Sequence, residues 1–561
     1  MEVHETDVLI IGGGGAGCRA AIEASEKNVD VIVMVKSLVG KSGCTPMAEG
    51  GYNAALGNIH KEDSWEVHFR DTVIGGAYLN NQKLVEILVK EAPERIYDLE
   101  NYGAVFDRTE EGYIAQRPFG HQTYIRTCYA SDRTGHEMMI TLLNEIRRRD
   151  ITLIEDHMAI ELLKYDSRVT GAIALDMISG DLALIKSKAT ILATGGGSRI
   201  YKISTNSQQT CGDGYAMAYR AGAELIDMEQ VQFHPTGMVF PESAKGILVT
   251  EAVRGEGGIL LNKDGERFML RYSPEKKELA GRDVVARAIA TEILEGRGTK
   301  EGGVYLDVSH LDEEVIEKRL ETMFEQFMLF GVDIRKEPMQ VAPTAHHFMG
   351  GVRIDEQCRT SLPGLYAAGE TAGGVHGGNR LGGNALADTQ VFGKRAGEYA
   401  AEYAKKTGKP KIERQFVEKV EKGVYSLYNG EGVSPIEAKK RLTEIMWDKV
   451  GIFREEKAMS EALKELERMK KEDLQNLRVN EGKTYNLELI EALQLRNMVT
   501  VAEMVTRSAL YRKESRGAHC RLDFKEKDDK NWLVNVIVKQ KNGKMTIYTE
   551  PVVFTILRPG G

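Results

Sequence analysis

The sequence predicts an α/β fold in which a parallel-sheet domain is interrupted by an inserted α+β capping domain, then followed by a helical C-terminal domain and a short β-hairpin tail. Three observations predict it. The chain opens with an apolar strand at Val8–Ile11, the Gly-rich turn GGGGAG, a helical stretch at Cys18–Glu26 and a second apolar strand at Val29–Val35. Two further apolar strands, Ala189–Ala193 and Gly364–Ala368, lie far apart yet each runs into a Gly-rich turn, which suits one sheet split by an insertion. From about residue 401 the pattern turns helical, and the end of the chain alternates around a Lys-Asn-Gly turn at 541–543.

The first unit carries the clearest chemistry. Gly12, Gly14 and Gly17 satisfy G-x-G-x-x-G between a strand and a helix, where glycines let a pyrophosphate approach the backbone and the helix N-terminus. A nicotinamide dinucleotide calls for Asp or Glu at the end of the second strand, and this chain has Lys36 and Ser37 there, which favours FAD on a Rossmann-like domain. The expected domains are 1–235 with 345–400 for FAD binding, 236–344 for the cap, 401–520 for the helical part and 521–561 for the tail. Within the cap, helices are expected over Val284–Glu295 and Glu313–Phe330. In the helical domain Met459, Leu463, Leu466 and Met469 fall on one face of a Lys/Glu-rich helix, a packed stripe beneath a solvated surface.

Composition excludes several classes. The 561 residues exceed one ordinary core. A net charge of −8 with no long basic block argues against nucleic acid as a partner. The longest apolar runs are strand-length, so no direct membrane insertion is expected. A strand begins within the first ten residues, leaving no room for a leader, and the expected location is the cytoplasm, with any attachment at the inner face of a membrane made through partner subunits. The six cysteines, at 18, 44, 128, 211, 358 and 520, show no CxxC spacing, so no metal site, zinc or iron–sulfur cluster, is expected from local ligands. Electrons leaving in single steps would travel through another chain.

Charged groups gather beside glycines in VQFHPTG (231–237), LVTEAVRGEGG (248–258), Gly281-Arg282-Asp283, PTAHHFMGG (343–351) and VHGGNRLG (375–382). Each has a plain alternative: a lone His before Pro is often structural, and Glu-x-x-Arg is often a surface or capping pair. Together, three arginines and several histidines near a flavin-type site predict a small dianionic substrate, because Arg forks suit carboxylates.

The ordered set GGGGAG, AEGG, DRTGH (132–136), ATGGG, CGDG (211–214), QFHPTG, TEAVRGEGG, ERFM (266–269), GRDVVARAI (281–289), TAHHFMGG, AAGE, HGGNRLGGNALAD and ESRGAH (514–519) resembles the succinate dehydrogenase/fumarate reductase flavoprotein family, which also includes L-aspartate oxidase. The resemblance runs from about residue 5 to 533. It implies interconversion of fumarate and succinate by hydride transfer at flavin N5, leaning to fumarate reduction, with electrons exchanged with an iron–sulfur subunit. It places substrate contacts on His234, Thr250, His346 and Arg380, the proton-delivering group on Arg282, and a relay on Glu251 and Arg254. It places FAD contacts on Gly12, Gly13, Gly14, Gly15, Ala16, Gly17, Lys36, Ser37, Ser42, Cys44, Thr45, Glu49, Gly50, Gly51, Asp213, Glu370, Ala385 and Leu386. From residue chemistry alone a His would be the natural acid, since Arg has a reference pKa of ~12.5 or more; the role of Arg282 rests on the resemblance. The alternative readings are L-aspartate oxidase and, more distantly, a non-catalytic flavin-binding scaffold.

Four features depart from the family pattern. FGHQ (119–122) stands where respiratory members carry Phe-Gly-Gly, the stretch from His234 to Thr250 is longer, and Cys211 replaces a common Thr. Cys44 falls where respiratory members place the His that bonds FAD covalently. Three readings of Cys44 remain: a small filler beside a non-covalent flavin, a thioether to the flavin, or a thiol tuning its potential. The first is the expectation, as free Cys usually behaves as a small apolar residue.

Overall fold

The computed structural model describes residues 1–560. Its central sheet runs in the order 152–154, 31–34, 2–11, 182–192, 168–176, 157–165, and strand 365–367 pairs with 182–192 as well. The strands 31–34, 152–154 and 365–367 join the central pair in parallel, whereas 157–165 and 168–176 form an antiparallel extension. Strand 365–367, far along the chain, pairs through Leu365–Thr190 and Ala367–Leu192, as expected of one sheet split by an insertion. Val8, Leu9 and Ile10 are fully buried, as a parallel strand covered on both faces requires.

Helices Gly15–Glu26 and Asn384–Lys406 pack on this sheet and on each other. Their approach depends on two missing side chains. A Cβ at Gly393 would lie 2.7 Å from the Ala16 carbonyl oxygen, and one at Gly397 would lie 2.3 Å from that of Ala20. The long helix therefore seats directly against the backbone of the helix that follows GGGGAG.

The insertion has its own core. Strands 231–238, 339–348, 304–307 and 259–261 form an antiparallel sheet, backed by helix Arg282–Leu294. Its apolar cluster, with Leu306, Ile289 and Val341, is separate from the cluster that unites the first domain and the helical region. Strands 231–238 and 339–348 are the two connections between the bodies, and the expected edges at 235/236 and 344/345 fall inside them. The single helix expected over 313–330 is two, Glu313–Arg319 and Glu321–Leu329, broken at Leu320 with φ −124° and ψ 32°. The apolar pattern continues across the break because Leu320 itself is buried.

Helix Leu487–Tyr511 is the axis of the helical region, with Pro435–Lys449 and Glu456–Arg468 against it. Met459, Leu466 and Met469 are buried on the expected face; Leu463 is only partly covered. The hairpin 534–541/544–551 turns at Asn542 and Gly543, both at positive φ as a two-residue type I′ turn needs. It does not stand apart as a tail. Ile537 and Val538 pair with Ile226 and Leu225, so the hairpin extends a sheet begun by strands 351–353 and 372–373 of the first domain.

Beneath that junction lies a fully buried charge cluster. Arg512 donates to Glu229 at 2.6 Å and to Glu514 at 3.0 Å, lies 3.5 Å from Asp227, and also donates to the carbonyls of Trp532 and Val534. Burial pushes the Asp227 carboxyl up, Glu229 adds to that, and the Arg512 charge opposes it. Arg512→Met leaves Asp227 and Glu229 without their cation, and is expected to destabilise the protein by about 3–5 kcal/mol, read as a lower urea midpoint.

Candidate functional site

A cleft of about 1780 Å³, counting its open mouth, runs from the glycine turn to the junction with the cap. At one end Gly12 sits at φ +113°, where a Cβ would meet the Ala193 carbonyl oxygen at 2.1 Å. Gly17 does not line the cleft; a Cβ there would lie 1.9 Å from the Gly12 carbonyl oxygen, so its role is packing of helix on turn. The other expected FAD contacts, from Gly12–Ala16 and Lys36 to Ala385 and Leu386, all line it. The first helix begins at Gly15 with no side-chain cap and no acid in its first turn, leaving its positive end to the cleft. The long helix at Asn384 also starts without a side-chain cap, and Gly383, Ala385 and Leu386 line the cleft. Lys36 pairs with Asp213 at 2.5 Å, and Asn497 donates to the same carboxylate at 2.8 Å.

Two acids here are held toward their neutral forms. Burial raises the Glu49 carboxyl well above its ordinary value, with Asp132 adding to it, and one Glu49 oxygen has no protein partner. Burial pushes Glu370 up to about 7, against the hydrogen bond its carboxyl accepts from the Phe348 N–H at 2.9 Å. The two uncapped helix ends, the side-chain-free turn and the orphaned Glu49 oxygen fit FAD along the cleft.

At the junction the cap and the first domain bring together groups from five separate segments. Thr250 begins the short helix Glu251–Gly255 as its N-cap, accepting from the Ala252 N–H at 3.4 Å. Arg282 opens the cap helix and donates through Nε to Glu251 at 2.7 Å. Arg254 lies 3.9 Å from the same Glu251 oxygen and donates to the Glu278 carbonyl at 2.6 Å. Glu251 accepts on its other oxygen from the Gly120 N–H at 2.9 Å. His234 and His346, on the two connecting strands, face each other with ring centroids 5.0 Å apart. Of these, His234, Thr250, Glu251, Arg282, His346 and Arg380 line the cleft, and Arg254 lies behind them with Nε and Nη2 unpartnered.

Electrostatics fixes the protonation states. Burial lowers both histidines well below 6.5; Arg282 and Arg254 add to this at His234, and His234 and Arg380 at His346. Both rings are therefore neutral near pH 7. His234 Nδ1 lies 3.2 Å from the Thr236 N–H and 3.1 Å from the Thr236 carbonyl oxygen, so Thr236 orients the ring. Burial lowers Arg380 to about 9, with Arg282 contributing. Burial pushes Glu251 up, but Arg282 and Arg254 outweigh it and the carboxyl stays ionised.

The chain just after the FGHQ segment is held by Asp71, which accepts from the Thr123 N–H at 2.8 Å and from Arg126 at 2.7 Å. His121 adopts φ +65°, a left-handed conformation uncommon outside glycine, and donates its N–H to the Leu279 carbonyl of the cap at 3.3 Å. Cys44 is half-buried, its thiol pushed up to about 11 by burial and by Glu370, with Thr210 Oγ1 at 3.9 Å. Cys211 is buried and raised to about 11 by burial. His376 does not line the cleft; it sits 2.8 Å from Asp388 beneath it. The site also contains groups that sequence reasoning did not single out: Phe119, Thr205, Asn206 and His347 line the cleft, and Gln232 lies behind it. His347 and Gln232 sit beside the histidines that were chosen, but only the strand register places them.

The Glu370 shift has a stability consequence. Between its ordinary value of 4.5 and about 7, the unfolded chain has lost this proton while the folded chain keeps it, so stability falls as pH rises through that window. Glu370→Gln keeps the Phe348 bond without the ionisation. The FAD-free variant is expected to match the unsubstituted protein near pH 4.5 and exceed it by about 3 kcal/mol at pH 8, by urea denaturation at both values.

Comparisons with known proteins agree with this geometry. Residues 7–386 match the FAD binding domain family and 439–560 the fumarate reductase flavoprotein C-terminal family. One subunit of a fumarate reductase (CoM/CoB) from Methanothermobacter marburgensis is 56% identical over 540 residues, 96% of this chain and 98% of that one. A mitochondrial succinate dehydrogenase [ubiquinone] flavoprotein subunit from Oryza sativa subsp. japonica is 39% identical over 576 residues, 98% of this chain and 90% of that one. A mutant of the quinol fumarate reductase FrdA from E. coli superposes with a TM-score of 0.95 at 36% identity, covering 100% of this chain and 99% of that one. The chain is an FAD-dependent oxidoreductase and belongs to the succinate dehydrogenase/fumarate reductase flavoprotein family.

Proposed function

We propose that this chain is the catalytic flavoprotein subunit of a fumarate reductase, working mainly toward succinate and drawing electrons through an iron–sulfur partner. The observation that carries this is the Arg254–Glu251–Arg282 chain, which leads from behind the cleft to a wall of carboxylate-binding groups. The relative named for CoM/CoB supports thiols as the ultimate donor class. No helix among the described residues is long and apolar enough to cross a membrane.

When bound, FAD would supply hydride chemistry toward one alkene carbon. Arg380, His346, His234 and Thr250 would hold the two carboxylates, with neutral imidazoles donating N–H to a dianion they do not also protonate. As charge builds at the second carbon, Arg380 and the histidines would stabilise it through the adjoining carboxylate. Arg282 would then give that carbon its proton. Glu251, bonded to Arg282 Nε, would pass a replacement from Arg254, whose own proton is loosened by burial. This answers the preference for His as the acid: burial among arginines leaves the histidines without a proton to spare.

The testing assay is fumarate reduction by reduced viologen, using the protein together with its co-purifying chains. Fumarate turnover without iminoaspartate formation from aspartate is expected; the reverse would make the chain an L-aspartate oxidase. Arg282→Ala should keep its FAD and lose roughly 10²–10⁴-fold in kcat. The unsubstituted enzyme's pH profile of kcat/KM should show no step near 6.5, since both histidines are already neutral there in the free enzyme. Burial and Glu370 raise the Cys44 thiol, which supports a non-covalent FAD, and acid denaturation should then release the yellow colour from the polypeptide.

A further inference from the structure

Gln232 lies on strand Val231–Met238, which carries the chain from the FAD-binding domain into the cap, and it is fully buried. Its amide oxygen accepts from Arg282 Nη1 at 3.3 Å and from Arg380 Nη2 at 3.0 Å. Its amide nitrogen donates to Asn379 Oδ1 at 2.8 Å and to the Arg380 carbonyl at 2.9 Å. Asn379 donates in turn to Asp283 at 3.0 Å, the residue after Arg282. Gln232 thus uses three of its four hydrogen bonds on two arginines from different bodies: Arg282 opens the cap helix, and Arg380 sits in the loop before the long helix of the first domain.

Two guanidinium groups bonded to one atom repel each other, and in a buried site that repulsion is weakly screened. A carbonyl dipole between them offsets it without adding a formal charge. A carboxylate at this place would offset more, but it would also compete with an incoming dicarboxylate for the same forks. The remaining surfaces of Arg282 and Arg380 line the cleft.

We propose that Gln232 is a positioning residue that fixes the spacing of Arg282 and Arg380, so that the proton-donating and carboxylate-binding forks meet one four-carbon dicarboxylate when the cap lies against the first domain. The proposal rests on the fumarate reductase reading. Asn379 and Asp283 complete the tie, since the amide that sets the spacing is itself anchored to the start of the cap helix.

The test uses Gln232→Leu and Gln232→Glu in the complete enzyme, with three readouts: FAD content, kcat and KM for fumarate across pH, and inhibition by malonate, succinate and glutarate. Gln232→Leu should retain FAD and lose about tenfold or more in kcat/KM, the worth of a hydrogen bond to a charged group. Its preference for the four-carbon inhibitor over the three- and five-carbon ones should flatten. Gln232→Glu keeps both acceptor contacts but adds negative charge. It should raise KM more than the Leu variant does, and move the alkaline limb of the pH–kcat/KM profile to higher pH, because a neighbouring carboxylate holds the proton on Arg380 more tightly. If Gln232→Leu does not fold, the Glu variant carries the test. Unchanged kcat, KM and length preference in both variants, in an enzyme that reduces fumarate, would overturn the proposal alone; so would parallel loss of FAD and activity, the mark of a purely structural role. An unsubstituted enzyme inert toward fumarate would overturn both readings.

Discussion

Three buried guanidinium groups gathered around one carboxylate are the constraint on which the site depends. Glu251 balances Arg282 and Arg254, while Arg380 has no carboxylate of its own within bonding distance. An excess of buried positive charge is costly unless something completes it. Here a dianionic substrate would complete it, so the protein's unfavourable electrostatics and the substrate's are complementary. Burial, with the same excess adding to it, drives His234 and His346 to neutrality and loosens the proton on Arg380. Binding specificity and protonation state thus share one of their causes.

That charge excess is divided between two bodies. Arg254, Glu251 and Arg282 belong to the cap, and Arg380 to the first domain. His234 and His346 ride on the two strands that join them. Because the cap has a core of its own, it can keep its shape while its contacts with the first domain change. Direct ties across the junction include polar ones: Gly120 to Glu251, His121 to Leu279, Asp132 to Thr322, Asn379 to Asp283 and Arg287 to Gly517. Such an interface can release and reform without exposing a large apolar surface.

Legibility in the sequence followed the range of the interactions. The glycine turn, the flanking strands and the hairpin were readable because their signals are local, set by period and by turn chemistry. The split sheet was readable because strand 365–367 ends in a Gly-rich turn like its partner. The meeting of His234 with His346, more than a hundred residues on, leaves no periodic trace, and only family resemblance brought them together. Gln232 was inside a quoted motif yet unremarkable until the strand register put both arginines on its amide. The break at Leu320 was hidden for a different reason: burial of an apolar residue does not reveal its backbone angles. The docking of the final hairpin is likewise a tertiary fact, since its alternating pattern says that one face is covered without saying by what.

The last feature bears on how the protein is made. The sheet begun by residues 225–226 and 351–353 gains its outer strands only from 534–551. The acids Asp227 and Glu229 wait for Arg512. On a ribosome, the first domain is therefore synthesised long before its last strands and its buried cation emerge. Until then it carries an unpaired strand edge and uncompensated acids, the state most open to wrong association. Early binding of the cofactor to the glycine turn would hold the first half in shape during that wait.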